Sequence, residues 1–269
     1  MAKVLEVSRS GYYNWKNREE STRHKEEIIL LLEIKTIHEK SNGIYGTLRT
    51  TAVLNRKGIR CGTNRVGRIR KKYNIKAKTK KKFRVTTHSK HNKPVSEDLV
   101  KRNFTASVKN ELWTSDITYL WTHEGWLYLA VILDVFCRKI VGWAMESRLS
   151  KKIVTKALYR AIANRNPEPG MIFHSDQGIQ YASDEVRGIL KFYGIQQSMS
   201  GKGNCYDNAI TESFFHSFKT EFVYFEDFKI KEVAKRKTFE YIEAFYNPER
   251  LHSALGYMSP VEYEQQKVA

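Results

Sequence analysis

Cysteine is scarce in this chain: three in 269 residues, Cys61, Cys137 and Cys205, odd in number and far apart. Neither a disulfide scaffold nor a CxxC metal site follows, and a reducing cytosol is the expected compartment. Long apolar runs are also missing. The strongest, Ile28 to Leu32 and Trp126 to Leu133, fall far short of the roughly 20 residues that span a bilayer, so no membrane is expected as a partner. No secretory leader is expected, because Met1 to Ser10 runs straight into polar and aromatic residues. No internal repeat of useful length occurs. Over the first 103 residues the shortage is of acid: 27 basic side chains face 9 acidic ones, whereas residues 104 to 269 carry 20 of each. The whole net charge of +18 therefore belongs to the front part. Such a field attracts polyanions and makes nucleic acid the leading partner. General disorder is excluded by a 41% hydrophobic content with 15 Tyr, 13 Phe and 5 Trp, enough for a real core.

Within the cationic front, a short SRSGYYNWKNR segment precedes HKEEIILLLEIKTIHEK. The latter predicts a helix with Ile28, Leu31, Leu32 and Ile34 packed inward. A second helix is expected over about Thr47 to Lys57, ending at Gly58, and Thr63 is a candidate N-cap for a third. In that third helix Val66, Ile69 and Tyr73 share one face while Arg65, Arg68 and Lys72 share another. One side suits a small helical core, and the other suits phosphates in a helix-turn-helix arrangement. A plain solvated face is the competing reading. The run KKYNIKAKTKKKFRVTTHSKHNKP has too few apolar positions to fold alone and reads as a basic arm. Its Lys80, Lys81, Lys82 and Arg84 are candidates for phosphate contacts that position DNA without reading its bases. His88 and His91 lack a cysteine pair at metal spacing and read as exposed polar residues.

From Asn110 the texture becomes strand-like. ELWTSDITYL, WLYLAVILDVF and KIVGWAMESRL predict an antiparallel meander, followed by a helix near Lys151 to Arg165. MIFHSD then supplies a short strand, Ser183 to Tyr193 a helix, and Ile195 to Met199 another strand. Three strands followed by alternating helix and strand predict an α/β fold, a mixed five-stranded sheet flanked by helices. The glycine-rich fingerprint of a dinucleotide fold is absent after the first strand. Trp113, Tyr119, Trp126 and Tyr128 read as core or rim aromatics.

Acids inside such strands need an explanation, since an unpaired buried carboxylate is costly. Asp116 interrupts the WTSDITYL strand and Asp176 stands just beyond MIFHS; Asp134 also ends a strand, so local pattern does not choose among them. Glu212 lies in the helical pattern NAITESFFHSFKTEF, where Asn208, Glu212, Phe215 and Lys219 fall near one face. Three oxygen ligands without His or Cys favour Mg²⁺ or Mn²⁺ over zinc. Two such ions suit phosphoryl transfer. Ordinary caps and surface ion pairs remain the competing reading of these acids.

The back part resembles the catalytic region of bacterial insertion-sequence transposases, within the wider retroviral-integrase family. The resemblance is carried by WTSDITY around Asp116, FHSDQGIQYAS around Asp176 and MSGKGNCYDNAITESFFHSFKTE around Glu212. Fifty-nine residues separate the first two acids and thirty-five the second two, the spacing of that family's D,D(35)E triad. YIEAFYNPERLHSALGYMSPVEYE is similar to the family's usual ending, and VLEVSRSGYYNWK with GIYGTLRTTAVLNRKGI looks like the start of its second reading-frame product. In such elements the active protein is generally a frameshift fusion with an upstream helix-turn-helix and coiled-coil segment, which this chain is expected to lack.

The resemblance implies an RNase H-like core and metal coordination by Asp116, Asp176 and Glu212, with two Mg²⁺ ions, or Mn²⁺. It gives Lys219 a DNA contact near the reactive phosphate. Gly201 departs from the family, where arginine is common, while Lys202 is a further phosphate candidate, His174 and Asn208 are supporting residues, and Cys205 is expected to pack. The implied division is a short segment 1–22, a helix-turn-helix-like domain 23–76, a basic linker 77–103, the catalytic core 104–222 and a helical extension 223–269. The implied activity is metal-dependent cleavage and strand transfer at element ends, on double-stranded chromosomal DNA in the cytoplasm, by a homo-oligomer, with the upstream-frame product as a further partner. A nuclease that cuts without joining, and an inactive DNA-binding regulator, are the alternatives.

Overall fold

The computed structural model describes residues 8–78, 96–201 and 209–268, and the chain divides into two compact units, residues 1–78 and 79–269. The first unit is helical: α1 (Arg9–Lys16), α2 (Thr22–Lys40), α3 (Thr47–Arg56) and α4 (Thr63–Lys72). Its small core is built from Leu30, Leu31, Ile34 and Ile37 of α2, Leu54 of α3, and Val66 and Ile69 of α4. Leu31 and Ile34 are buried as the sequence predicts, but Ile28 and Leu32 stay exposed. The five consecutive apolar residues Ile28 to Leu32 ring the helix, so periodicity alone cannot pick the inward side; packing against α3 and α4 does. The third helix also starts differently, for Gly62 is its N-cap and Thr63 already its first helical residue. Arg70, buried, donates to Thr50 Oγ1 at 3.2 Å and so ties α4 to α3.

The second unit is built on a five-stranded sheet of β1 (Leu112–Thr122), β2 (Gly125–Asp134), β3 (Ile140–Glu146), β4 (Ile172–Ser175) and β5 (Gln196–Met199), ordered β3-β2-β1-β4-β5. The first three strands pair antiparallel; β4 and β5 join parallel to β1 and to each other. The helices between the last strands, α5 (Lys151–Arg165) and α6 (Asp184–Phe192), cover one face. There Trp113, Ile132, Ala157, Leu158, Phe173 and Val186 form the main core. Helix α5 lies so close to β3 that a β-carbon at Gly142 would stand 2.4 Å from the Ala157 carbonyl oxygen. Only glycine fits there. Residues just before β1 also join this unit, the Leu99 amide donating to Ser198 Oγ at 2.9 Å.

Helix α7 (Ala209–Glu221) is followed by α8 (Lys231–Phe239), a π-helical turn Glu240–Tyr246 and α9 (Pro260–Val268). Phe214 and Phe218 of α7 pack edge-on against Tyr246 and Tyr241, with ring centroids 4.8 and 5.3 Å apart. The Asn247 side chain bonds both backbone groups of Ile140, accepting from its amide at 2.9 Å and donating to its carbonyl at 3.0 Å. The C-terminal segment is thereby fastened to the edge strand β3. Asp134, one of the three strand acids, is structural: Arg165 pairs with it at 2.8 Å, and the Asn110 and Phe136 amides donate to it. Arg165 also pairs with Glu264 of α9.

Candidate active site

Register makes the site. Strands β1 and β4 run parallel with Thr114 opposite His174 and Ser115 opposite Ser175. One step further along come Asp116, still in β1, and Asp176, the residue that follows β4; neighbouring strands lie about 4.8 Å apart, and the Asp176 charge acts on Asp116. The Ile117 amide donates to Asp116 Oδ1 at 2.7 Å, and the Gly178 amide donates to Asp176 Oδ1 at 2.9 Å. Glu212 sits in the first turn of α7, beside the buried Thr211, whose hydroxyl donates to Thr114 Oγ1 at 2.8 Å. That bond pins α7 to β1 two residues before Asp116.

Electrostatics record the same convergence. Burial pushes the Asp116 carboxyl up to about 8; the Asp176 charge adds to this, the Ile117 amide opposes it, and Glu212 and Lys219 act in opposite directions after that. All three acids and one amine thus share one field. The Lys219 amine is lowered by its burial against the pull of Asp116, and its Nζ lies 5.3 Å from the centroid of the Tyr119 ring. Among the described residues no three His, Cys, Asp or Glu side chains are grouped closely enough to hold a metal ion. Asp116, Asp176 and Glu212 are nonetheless within one another's electrostatic reach. Their chemistry fits a hard divalent cation: carboxylate oxygens only, with Asp116 and Asp176 half-buried, where negative charge is costly without a counter-charge, and Glu212 exposed beside them.

A proton held on Asp116 has a consequence for stability. Its folded pKa, about 8, lies above the ordinary value of 3.8, so over that window the folded protein binds more protons than the unfolded chain. Stability therefore falls as pH rises through it. The thermal midpoint, measured without divalent cations, is expected to drop by several degrees between roughly pH 5 and pH 8, and the slope to flatten in Asp116→Asn. An equal slope in both proteins would remove Asp116 as its cause.

Three features beside the acids escaped the sequence reading. Tyr181, buried, shares a 2.9 Å hydrogen bond with Ser115, and burial, then the Asp116 and Asp176 charges, hold its phenol well above the ordinary range. A neutral phenol therefore borders the acids. Thr114 and Thr211 form the clamp described above; the polar WTSD run inside a buried strand was the available signal. Gly178 is the third. A β-carbon there would stand 2.8 Å from Asp176 Oδ1, so Gly178→Ala is expected to displace this carboxylate and lower strand cleavage by on the order of a hundredfold, with a small change in thermal midpoint. Measured cleavage near the wild-type rate would show that Asp176 tolerates the shift.

The other candidate residues are placed as follows. His174 is buried, its Nδ1 2.9 Å from Ser198 Oγ and its ring edge-on to Phe104. Arg65 pairs with Glu26 at 3.0 Å and Lys72 with Glu27 at 2.5 Å, both acids on α2. With Arg23, Arg68 and Ile69, residues Glu27, Arg65 and Lys72 line a cleft of about 210 Å³ between these helices. Since α4 buries Val66, Ile69 and Arg70, its opposite side at 100° per residue is Asn64, Arg68 and Lys71, all exposed. Arg68 is thus exposed at the rim of the cleft, whereas Arg65 and Lys72 pair with acids of α2. Lys80, Lys81, Lys82, Arg84, Lys202 and Asn208 lie outside the described residues, as do His88, His91 and Cys205. Cys137 is buried, its thiol pushed up to about 12 by that burial.

Comparison with known proteins decides the family. An integrase core domain model matches residues 106–205, a second model of the same description matches 212–268, and an HTH-like domain matches 23–83. The transposase InsF for insertion sequence IS3A of Escherichia coli strain K12 is 37% identical over 276 residues, covering 100% of this chain and 94% of that protein. The chain belongs to the insertion-sequence transposases. The insertion element IS600 uncharacterized 31 kDa protein of Shigella sonnei is 44% identical to the transposase over 265 residues, 98% of this chain and 97% of that one. Among solved structures, the simian T-cell lymphotropic virus intasome in complex with PP2A regulatory subunit B56 gamma matches 86% of this chain and 74% of its own, at 15% identity and a TM-score of 0.50. That likeness concerns fold alone, and it agrees with the RNase H-like sheet order of the transposase. No helix among its described residues is long and apolar enough to cross a membrane.

Proposed function

We propose that this transposase cuts and joins DNA through Asp116, Asp176 and Glu212, as a D,D(35)E polynucleotidyl transferase. The observation that carries the reading is the parallel β1–β4 register, which brings Asp116 and Asp176 together although 59 residues separate them, with Glu212 in their field. The three carboxylates would hold Mg²⁺ or Mn²⁺, as a pair of ions. Such ions, when bound, lower the pKa of an attacking water and stabilise charge on the phosphate. Thr211 and Thr114 fix the helix that carries Glu212, the Gly178 amide orients Asp176, and Lys219 offers its amine to a phosphate beside Asp116. In the first step water attacks the phosphorus of a phosphodiester at an element end and the element strand's 3′ oxygen leaves as a free hydroxyl, the phosphate staying on the 5′ end of the flanking strand. In the second, the freed 3′ hydroxyl forms a new P–O bond to target DNA as the target's own P–O bond breaks. Each step is an in-line exchange at phosphorus, so no covalent protein intermediate is needed.

The front unit supplies the grip on double-stranded DNA, with 77–103 as a basic arm and a homo-oligomer as the working form on two ends. Its excess of cations and the HTH-like match support that role. An upstream-frame segment, where it is joined, adds recognition of the ends. A supercoiled plasmid carrying candidate ends, incubated with the protein and Mg²⁺, tests the reading: joined products are expected, whereas cutting without joining would favour a nuclease, and binding alone an inactive regulator.

The geometry of α4 makes a finer expectation. Arg68→Ala with Lys71→Ala should weaken binding to duplex DNA and reduce the slope of log affinity against log salt by about two. Arg65→Ala should change it less, because Glu26 already holds that guanidinium. Equal slopes for both variants would return α4 to a plain solvated face.

A further inference from the structure

Between Asp176 and helix α6 the chain turns through residues 177–183, and one side chain of that turn is sealed inside the protein. Tyr181 is 1% exposed and belongs to the main core, its ring 6.3 Å from that of Phe173. Side chains alternate along a strand, so the two faces of β1 divide its residues. Thr114 and Asp116 share the face on which Thr211 of α7 bonds Thr114, whereas Ser115 and Ile117 share the other, where Ile117 packs against the main core. Tyr181 stands on the Ser115 side. It therefore touches neither a phosphate nor a cation held by Asp116, and any effect it has on the acids passes through the backbone.

Hydrogen bonds supply that route. Ser115 Oγ donates to the Val131 carbonyl at 2.8 Å, which uses its single proton, so Tyr181 is the donor in the 2.9 Å bond between the two hydroxyls. Ser115 is the residue before Asp116. At the other end of the tyrosine, its amide donates to the Gly178 carbonyl at 2.9 Å, and the Gly178 amide donates to Asp176 Oδ1 at 2.9 Å. The Gln197 side-chain amide donates to the Tyr181 carbonyl at 3.0 Å and holds the turn to β5. Tyr181 thus joins the strand that carries one acid to the turn that orients the other. The β1–β4 ladder stops at Ser115 and Ser175, one residue short of both acids, and the Asp176 charge acts against ionisation of Asp116. A divalent cation shared by both needs their oxygens within about 2–2.6 Å of it. A tie beyond the last ladder pair resists the separation that two like charges favour.

Resting on the metal-dependent strand-transfer reading above, we propose that Tyr181 is a positioning residue, a neutral strut on the core face of the sheet that sets the spacing of Asp116 and Asp176 for a divalent cation. The ring fills the core and the hydroxyl makes the tie. Tyr181→Phe separates the two contributions, because it keeps the first and deletes the second.

The test is the Mn²⁺ affinity of the full chain without DNA, measured by calorimetric titration, with thermal unfolding on the same preparations. Wild type should bind Mn²⁺ at a site that Asp176→Ala loses. Tyr181→Phe should bind it about tenfold more weakly, with a fall of only a few degrees in thermal midpoint. Ser115→Ala, which removes the acceptor, should lose about as much, and the double variant no more than the weaker single one, since all three delete the same bond. Strand cleavage by Tyr181→Phe should then need about tenfold more Mg²⁺ for half its maximal rate. Mn²⁺ affinity equal to wild type in folded Tyr181→Phe and Ser115→Ala would overturn the strut, leaving Tyr181 as packing and the carboxylate reading intact. Additive losses in the double variant would overturn it as well, because the two hydroxyls would then act separately. Should Tyr181→Phe not fold, the affinity of Ser115→Ala decides alone. If wild type and Asp176→Ala take up Mn²⁺ alike, the carboxylate reading fails and the strut with it.

Discussion

Asp176→Ala is expected to reduce strand transfer by about a thousandfold or more while DNA affinity stays within about threefold of wild type. The two readouts separate because they draw on different parts of the chain. Residues 1–103 hold the whole charge excess that attracts DNA, and residues 104–269 are neutral. Asp176 contributes one of two carboxylates that the β1–β4 register makes adjacent, and no other described acid stands in its place. Asp134, the strand-end aspartate that local pattern could not set apart, is consumed by Arg165. Asp134→Ala should therefore behave in the opposite way, lowering the thermal midpoint by leaving Arg165 buried with one fewer partner. Gel-resolved joining of labelled ends, with affinity measured on the same preparations, makes the comparison. Transfer by Asp176→Ala at the wild-type rate would sink the assignment of this triad.

Arg250→Ala should be the most destabilising single change of those considered, by about 3–5 kcal/mol. Arg250 is 3% exposed and grips Glu221 with two bonds of 2.7 Å, while its second terminal nitrogen also donates to Ser217 Oγ at 2.9 Å. Tyr241 donates to the same glutamate at 3.1 Å. Burial works against the Arg250 charge, but the Glu221 hydrogen bonds and charge outweigh it and raise its pKa. Removing the guanidinium strands a carboxylate inside a wall of aromatic rings, which is the expensive event; the intact pair itself contributes less. For a unit of this size the loss corresponds to a fall in thermal midpoint of roughly 6–20 °C. A double variant, Arg250→Met with Glu221→Leu, should recover much of it. A fall of under about 1 kcal/mol in Arg250→Ala would mean that Glu221 reaches water. The same contact anchors the end of the helix whose first turn holds Glu212.

The elements of the catalytic unit were legible because their signals are local and strong. The three aromatic and β-branched runs became β1, β2 and β3, and Lys151 to Arg165 became α5 at the bounds its pattern predicts. Helix α2 shows where such reasoning stops. Its apolar ring offered no unique face, and the partners that chose Leu30 and Ile37 over Ile28 and Leu32 are distant in sequence. The same holds for α4: periodicity separated an apolar face from a basic one, but only Glu26 and Glu27 on α2 reveal which cations are already engaged.

By itself, the sequence determined that this chain is a two-part protein, cationic in front and neutral behind, with a mixed sheet and three suspect acids in its strands and helix. Composition and periodicity are properties of neighbours along the chain, and those conclusions need nothing more. Which acids stand together was decided only by tertiary structure. Asp116, Asp134 and Asp176 look alike in their local strands, yet the parallel register of β1 with β4 brings the first and third together and leaves the second to an arginine. The physical reason is that burial and charge act through space: a carboxylate's proton affinity depends on what stands a few ångströms away, and that is fixed by strand order and by the Thr211–Thr114 clamp.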